Sequence, residues 1–72
     1  MDLTSVGKRI RAVRAEKSLS QEQLAAATGL DRTYISRAEA GRQNMTVETL
    51  IRICGGLGVS LRAFFDFEEG RE

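Results

Sequence analysis

The chain lacks several residue types on which common protein chemistry depends. Its 72 residues include no histidine, no proline and a single cysteine, Cys54. The absence of histidine removes the commonest general base and metal ligand. With a single cysteine, only carboxylates are left to bind a metal, and no aspartate-rich calcium loop is present. One cysteine cannot form an internal disulfide and fits a reducing compartment such as the cytoplasm. We therefore expect no enzyme, no metal site and no cofactor.

Long apolar runs are also absent. None approaches the roughly 20 residues that a membrane-spanning helix requires, and no basic stretch leads into a hydrophobic one near the N-terminus, as a secretory signal would. The contents of 42% hydrophobic and 29% charged residues are ordinary for a folded domain. These features predict a single small domain in the cytoplasm, with no membrane partner.

The net charge of +1 is divided unevenly along the chain. Residues 1–43 carry eight basic and five acidic side chains, a net charge of +3, whereas residues 44–72 carry three basic and five acidic side chains, a net charge of −2. The N-terminal part is therefore the part that can face an anionic partner. The alternative is that these charges only cover solvated helix faces.

Four helix starts are indicated by the same pair of signals. In each, an apolar residue precedes a Ser, Thr or Asp that can cap free backbone N–H groups, and a second apolar residue follows at the spacing of a hydrophobic staple. The four sets are Leu19–Ser20 with Leu24, Leu30–Asp31 with Ile35, Met45–Thr46 with Leu50, and Val59–Ser60 with Phe64. Gln23 completes a capping box with Ser20. These signals predict helices that begin near residues 21, 32, 47 and 61.

Glycines and apolar periodicity indicate the other helix boundaries. Helices are expected to end at Gly29, at Gly41 and at either Gly55–Gly56 or Gly58. The spacing of Val6, Ile10 and Val13 predicts a first helix from about residue 2 or 3 to residue 16. A fifth helix is expected over 61 to about 66. The prediction is an all-α domain of five short helices over residues 1–67, followed by an acidic tail at 68–72.

The second and third predicted helices are joined by about four residues, Thr28–Asp31, with glycine among them. Two short helices joined in this way form a helix-turn-helix, whose second helix can lie in the major groove of DNA. At about 100° per residue, Ile35, Ala38 and Glu39 share one side of the third helix. The opposite side and the N-terminal end carry polar and basic residues, namely Arg32, Thr33, Ser36 and Arg37. Arginine can pair with guanine and threonine with thymine, so these four are the candidates for base contacts.

Residues 20–41, SQEQLAAATGLDRTYISRAEAG, closely resemble the lambda-repressor/Cro-like helix-turn-helix family. The resemblance extends from about Val6 to Phe65, and its most specific features are Ser20–Gln21, Leu24–Ala25, Gly29, Ile35–Ser36, Glu39 and Gly41. The stretch 30–36 is similar to controller proteins of restriction–modification systems, although general chromosomal regulators can carry the same stretch. The resemblance implies a lambda-repressor-like domain that binds double-stranded DNA and regulates transcription.

The resemblance also implies roles for side chains around the third helix. Gln21, at the N-terminus of the second helix, would bind a phosphate with the help of the free N–H groups there. Three residues that follow the third helix, Arg42, Gln43 and Asn44, would contact phosphates, with an ordinary polar loop as the alternative. Tyr34 stands at the border of the buried face, where packing and a DNA contact are equally open.

Glu39 is not expected to contact DNA, because its negative charge would repel phosphate. It lies on the inner side of the third helix, and Arg14 flanks the apolar face of the first helix, so we expect an Arg14–Glu39 ion pair. Lys8, Arg9 and Arg11 are expected to be solvated more often than functional, with a phosphate contact as the alternative.

A homodimer is expected because one recognition helix reads too few base pairs to find one site in a genome. Two copies would bind a roughly palindromic operator. The candidate interface is the last helix and the residues after it, with Leu61, Phe64, Phe65 and Phe67. Leu61 and Phe64 are the better core candidates, which leaves Phe65 and Phe67 for the partner, together with residues of the fourth helix. The alternative is that all four close the core of a monomer.

The alternative function is that of a protein-interaction module, such as an antitoxin that uses this fold mainly to bind a toxin. Such modules usually carry an extra toxin-binding segment, whereas about seven residues follow the fifth helix. RNA polymerase is a further candidate partner of a regulator. The sequence specifies neither the operator nor the choice between activation and repression.

Overall fold

The computed structural model describes residues 1–67, and this part contains five α-helices and no strand. The helices are α1 (Leu3–Glu16), α2 (Gln21–Thr28), α3 (Arg32–Glu39), α4 (Val47–Leu57) and α5 (Leu61–Phe64). The predicted all-α class is confirmed. The predicted acidic tail at 68–72 lies outside the described residues.

Every helix begins at a side chain that accepts a hydrogen bond from the backbone of its own first turn. Four of these caps are the predicted ones, Ser20, Asp31, Thr46 and Ser60, and helix starts at 21, 32, 47 and 61 follow from them. Ser20 and Gln23 form the predicted capping box, with bonds of 3.0 and 2.8 Å. Asp2 caps α1 by accepting the N–H of Ser5 at 2.9 Å, and this bond lowers the pKa of the Asp2 carboxyl.

The helix ends agree with the sequence except in α5, and for α4 the structure decides between the two predicted stops. Gly29 and Gly58 follow α2 and α4 in the left-handed conformation, with φ of 73° and 75°. Gly55 and Gly56, offered as alternative stops, lie inside α4, so of the two predicted stops Gly58 is the correct one. The last helix ends at Phe64, about two residues earlier than predicted, and its one turn bends away at Phe65.

The five helices enclose one hydrophobic core. Its fully buried large side chains are Ile10, Leu24, Ile35, Ile53 and Phe64, and Val13 and Leu57 are 2% exposed. The residues that precede the four predicted caps pack against this core, as a hydrophobic staple requires: Leu19, Leu30, Met45 and Val59. Cys54 is a buried free thiol, and burial raises its pKa.

Of the four residues in the candidate dimer interface, Phe64 is removed and belongs to the core, as the sequence favoured. Phe64 is 0% exposed within a single copy, so it cannot also contact a partner. Its ring meets that of Phe65 edge to face, with 5.0 Å between centroids. Leu61, Phe65 and Phe67 are half-buried and keep part of their surface open.

Residues 1–67 contain neither a membrane-spanning helix nor a cluster of metal-binding side chains. None of the helices within 1–67 has the length and apolar character needed to cross a bilayer. The same residues hold no group of three or more Cys, His, Asp and Glu side chains able to bind a metal ion.

Candidate nucleic-acid interface

The α3 helix has one buried and one exposed side. Ile35 and Ala38 are fully buried. The four predicted base-contacting residues are all exposed: Arg32, Thr33, Ser36 and Arg37. Asp31 holds the first turn by accepting the N–H of Thr33 at 2.8 Å. The structure thus brings the four residues together on one open, basic face.

The turn between α2 and α3 is three residues long, Gly29–Asp31. Thr28, which the sequence places in the turn, is instead the last residue of α2 and is buried. Its hydroxyl donates to the carbonyl of Leu24 at 2.9 Å and accepts the N–H of Leu30 at 3.2 Å. Together with the left-handed Gly29, these bonds fix the direction in which the chain leaves α2 and enters α3.

Glu39 connects three helices through its carboxylate. The Nε and Nη2 atoms of Arg14 donate to its two oxygens at 2.5 and 2.9 Å, and Gln21 Nε2 donates at 3.0 Å. Arg14 also donates from Nη1 to the carbonyl of Leu19 at 2.8 Å. The side chains of Arg14 and Glu39 are only 16% and 5% exposed, and the hydrogen bond with Glu39 raises the pKa of Arg14. The expected Arg14–Glu39 pair is therefore present, and it ties α1 to the end of α3.

Gln21, predicted to bind a phosphate, also makes a hydrogen bond within the protein. It is half-buried, and one of its two amide N–H groups is used by Glu39. The second amide N–H and the backbone N–H groups at the start of α2 are the donors that a phosphate could use. Sequence reasoning misses the Gln21–Glu39 bond, because it assigns the Gln21 side chain to a phosphate.

A groove of about 270 Å³ opens where α1, α2 and α3 meet. It is lined by Arg11, Arg14, Gln21, Ser36, Glu39 and Ala40. Gln21 and Ser36, which the sequence assigns to DNA from two different helices, therefore line the same groove. Arg11 adds an exposed positive charge to it.

The segment after α3 leaves the helix in a fixed direction. Gly41 adopts a left-handed φ of 74°, and the N–H of Arg42 donates to the carbonyl of Arg37 at 2.9 Å, the pattern of a Schellman motif. Arg42 and Asn44 are exposed, while Gln43 is half-buried and donates to the carbonyl of Asn44 at 3.2 Å. Two of the three predicted phosphate contacts in this segment therefore have free side-chain surface.

Tyr34 packs against the hydrophobic core and is half-buried. Packing is thus part of its role, and its remaining exposed surface borders the α3 face.

Comparison with known families gives a match to the helix-turn-helix family model HTH_3 over residues 10–64. This range contains α2, the turn and α3, together with α4 and α5. The chain belongs to the helix-turn-helix family. It is therefore classed with DNA-binding transcription regulators and not with enzymes.

The chain is similar to a control protein and to part of a phage repressor. The control protein C.MunI from a Mycoplasma species is 43% identical over 60 residues, which is 82% of this chain and 81% of that protein. The immunity repressor of Bacillus phage phi105 is 41% identical over 59 residues, or 82% of this chain. The matched part spans only 41% of that repressor's length.

Solved structures of controller proteins have the same fold. The wild-type restriction–modification controller protein C.Esp1396I superposes with a TM-score of 0.84 and 44% identity, over 88% of this chain and 83% of that one. The controller protein C.AhdI from Aeromonas hydrophila superposes with a TM-score of 0.84 and 36% identity, over 88% of this chain and 96% of that one. C.Esp1396I has also been solved as a tetramer in complex with its natural 35-base-pair operator. The similarity to controller proteins predicted from residues 30–36 is confirmed.

Sequence reasoning misses two further features of this helix-turn-helix domain. Arg9, expected to be solvated, donates hydrogen bonds to the carbonyls of Ala63 and Phe64. Val47 and Ile51 of α4 are 70% and 51% exposed, unusually high for large apolar side chains. A signal for the second feature was available, since Val47 and Ile51 are one helical turn apart and lie outside the stripe formed by Ile53 and Leu57.

Proposed function

We propose that this chain is a sequence-specific regulator that binds a roughly palindromic operator as a homodimer, with α3 in the major groove, and that it controls restriction–modification genes. The observation that carries the proposal is the exposed polar and basic face of α3. Its residues, Arg32, Thr33, Ser36 and Arg37, are of the types that read base edges or bind nearby phosphates.

The surroundings of α3 support this orientation. Gln21 and Ser36 line one groove, and Arg42 and Asn44 are exposed beyond the C-terminal end of α3. Hydrogen-bond donors therefore lie on both flanks of α3. This arrangement suits phosphate contacts, because phosphates run along both edges of the major groove. Glu39, the acidic residue of α3, is neutralised by Arg14 and held away from the exposed face.

The relatives support the regulatory role. C.Esp1396I and C.AhdI are restriction–modification controller proteins and C.MunI is a control protein, and this chain covers 80% or more of the length of each. The complex of C.Esp1396I with operator DNA supports operator binding by this chain. A contact with RNA polymerase stays a prediction.

The apolar surface of α4 supports a dimer. Val47 and Ile51 are exposed on one side of the helix. Gly56 is nine positions after Val47 and therefore lies on the opposite side of α4, at 100° per residue. This opposite side faces α2, because a β-carbon on Gly56 would lie 2.6 Å from the side chain of Thr28. The exposed pair is therefore turned away from the helix-turn-helix, as a surface that pairs two DNA-bound copies must be. We call Val47 and Ile51 the α4 strip.

The half-buried residues Leu61, Phe65 and Phe67 extend the proposed interface from the α4 strip to α5. Two copies also fit the spacing of the sites that they would read. The longest extent of the backbone is 30 Å, which with side chains added is comparable with the 34–36 Å between half-sites one turn apart. Neighbouring copies can therefore occupy successive turns on one face of the duplex.

The test begins with a selection of binding sites from random DNA duplexes by the parent protein. Arg32→Ala and Arg37→Ala are then compared with Lys17→Ala, which removes an exposed charge from the end of α1. Each α3 variant should lose about 1–3 kcal/mol of binding free energy and relax the base preference at one operator position. Lys17→Ala should keep the parent's preference at every position.

Unchanged base preference in both α3 variants would show that α3 does not read the bases. Failure of the parent protein to select any site would instead favour the antitoxin-type module. For the regulatory role, binding sites mapped in the source genome should lie beside genes for a restriction endonuclease or its methyltransferase. Sites confined to other genes would contradict the controller role and leave DNA binding intact.

A further inference from the structure

The α5 helix has little internal support for its position. It consists of four residues, Leu61–Phe64, and Phe64 is its only buried side chain. A single turn ends in carbonyl groups that no further helical N–H can satisfy, and an isolated turn is not stable in water. Contacts from elsewhere in the fold must therefore hold α5 in place.

Arg9 of α1 supplies such contacts at the C-terminal end of α5. Its Nε donates to the carbonyl of Phe64 at 2.6 Å, and its Nη2 donates to the carbonyl of Ala63 at 3.0 Å. A guanidinium that donates to the last carbonyls of a helix opposes the negative end of the helix dipole. Here it satisfies the carbonyl of Phe64, and it adds a second donor to the carbonyl of Ala63, which also accepts the N–H of Asp66 at 3.2 Å.

The same guanidinium organises the aromatic residues around α5. Its central carbon lies 5.3 Å from the ring centroid of Phe67 and 6.0 Å from that of Phe64, within the range of a cation–π interaction. Phe67 follows the helix and is half-buried, and the Arg9 guanidinium is placed against its ring. Arg9 thus connects α1 to the backbone of α5 and to the aromatic ring that comes after it.

We propose that Arg9 is a positioning residue for dimerisation, which holds α5 and Phe67 in the arrangement that the partner copy recognises. The proposal rests on the homodimer proposed above. Without the two bonds from Arg9, α5 frays in the free monomer, and pairing must first restore its order. That ordering cost weakens the dimer, because only the ordered fraction of monomers is competent to pair.

The experiment measures the dimer dissociation constant by analytical ultracentrifugation, without DNA, at temperatures well below each variant's melting point. Arg9→Met keeps an unbranched apolar stem and removes all donors and the charge. It should raise the dimer Kd about tenfold or more, the effect of losing one charged hydrogen bond. Arg9→Lys, which can donate to one carbonyl and keeps the charge, should recover part of this loss.

Two controls separate positioning from general stability and charge. Val13→Ala removes core contacts on α1, where Val13 is 2% exposed, and leaves both Arg9 bonds in place, so it should lower the melting temperature but not the dimer affinity. Lys17→Met removes the same charge from the end of α1 and should leave the dimer Kd unchanged. The full operator should bind Arg9→Met more weakly than the parent, while a half-site should bind both equally.

A parent-like dimer Kd in Arg9→Met overturns the role of Arg9 and leaves the proposed dimer standing. An equal loss of dimer affinity in Val13→Ala also overturns it, since instability alone would then account for the effect. A parent protein that stays monomeric at micromolar concentration contradicts the homodimer itself.

Discussion

A β-carbon on Gly7 would lie 2.7 Å from the carbonyl oxygen of Glu39, because α1 crosses the end of α3 with backbone against backbone. The carbonyl oxygen of Ala38 is closer still. No side chain stands between the two helices at this point, and the last turn of α3 therefore lies directly on α1. The same turn carries the Glu39 carboxylate that Arg14 and Gln21 bind.

Two glycine variants should move stability in opposite directions. Gly7→Ala should lower the free energy of unfolding by about 3 kcal/mol or more, since the obstructing atoms are backbone and cannot rotate away. Gly55→Ala should raise it by about 0.5–1 kcal/mol, because Gly55 is inside α4 and a β-carbon there meets nothing within 4 Å. Urea unfolding at one fixed protein concentration measures both changes. Equal stability of the two variants would contradict the close crossing at Gly7.

Removing Glu39 should destabilise the fold without any DNA present. Glu39→Ala leaves Arg14, which is 16% exposed, with a mostly buried unpaired charge, and should cost about 3 kcal/mol. For a domain of this size, the melting temperature should fall by roughly 10 °C or more. Glu16→Ala, which removes an exposed carboxylate from α1, is the control and should melt close to the parent.

A double variant identifies the cause of that loss. If the unpaired charge is responsible, Arg14→Met together with Glu39→Ala should melt above Glu39→Ala alone. A double variant that melts lower still would indicate that packing of the Arg14 stem outweighs the charge.

Ser18→Gly should stabilise the protein. Ser18 has a φ of 57°, which makes it the one non-glycine residue with positive φ among those described. The N–H of Leu19 donates back to the carbonyl of Arg14 at 3.0 Å, so this conformation ends α1. Glycine relieves the strain of the left-handed conformation but also gives the unfolded chain more conformational entropy. The net effect should be an increase of about 0.5 kcal/mol in the free energy of unfolding.

The control for Ser18→Gly introduces the same residue into the helix that precedes it. Ala15→Gly should lower stability by about 0.5–1 kcal/mol, because position 15 is exposed and helical. Thermal unfolding of both variants decides the sign, and a loss in Ser18→Gly would contradict the assigned strain.

Ile51→Asp should convert the proposed dimer into a monomer. Ile51 is 51% exposed in the single copy, so the variant should fold normally. A charge introduced into an apolar interface cannot be solvated there, and the dimer Kd should rise about 100-fold or more. Analytical ultracentrifugation measures the Kd, and circular dichroism verifies the helices. Ala12→Asp, at an exposed position of α1, should dimerise as the parent does, whereas a parent-like Kd in Ile51→Asp would remove the α4 strip from the interface.

The sequence by itself determined where the helices begin. Caps such as Ser20 and Asp31 act on N–H groups two or three residues away, so the signal is complete within a short stretch of chain. The exposed face of α3 was equally predictable, since helical periodicity separates Ile35 and Ala38 from Arg32 and Arg37. The Arg14–Glu39 pair followed from the conflict between an acidic side chain and a DNA-binding helix.

Only the tertiary structure decided features that depend on residues far apart in the chain. Gly56 lies inside α4 with side chains of α2 packed closely against it, so glycine there permits close approach and does not end the helix. Phe64 turns into the core, and Arg9 reaches the carbonyl groups of α5 across 54 positions or more. Sequence signals specify local hydrogen bonds and faces of helices. The packing of the helices in space decides which apolar residues enter the core and which stay available to a partner. It also decides which arginines are solvated and which support the fold.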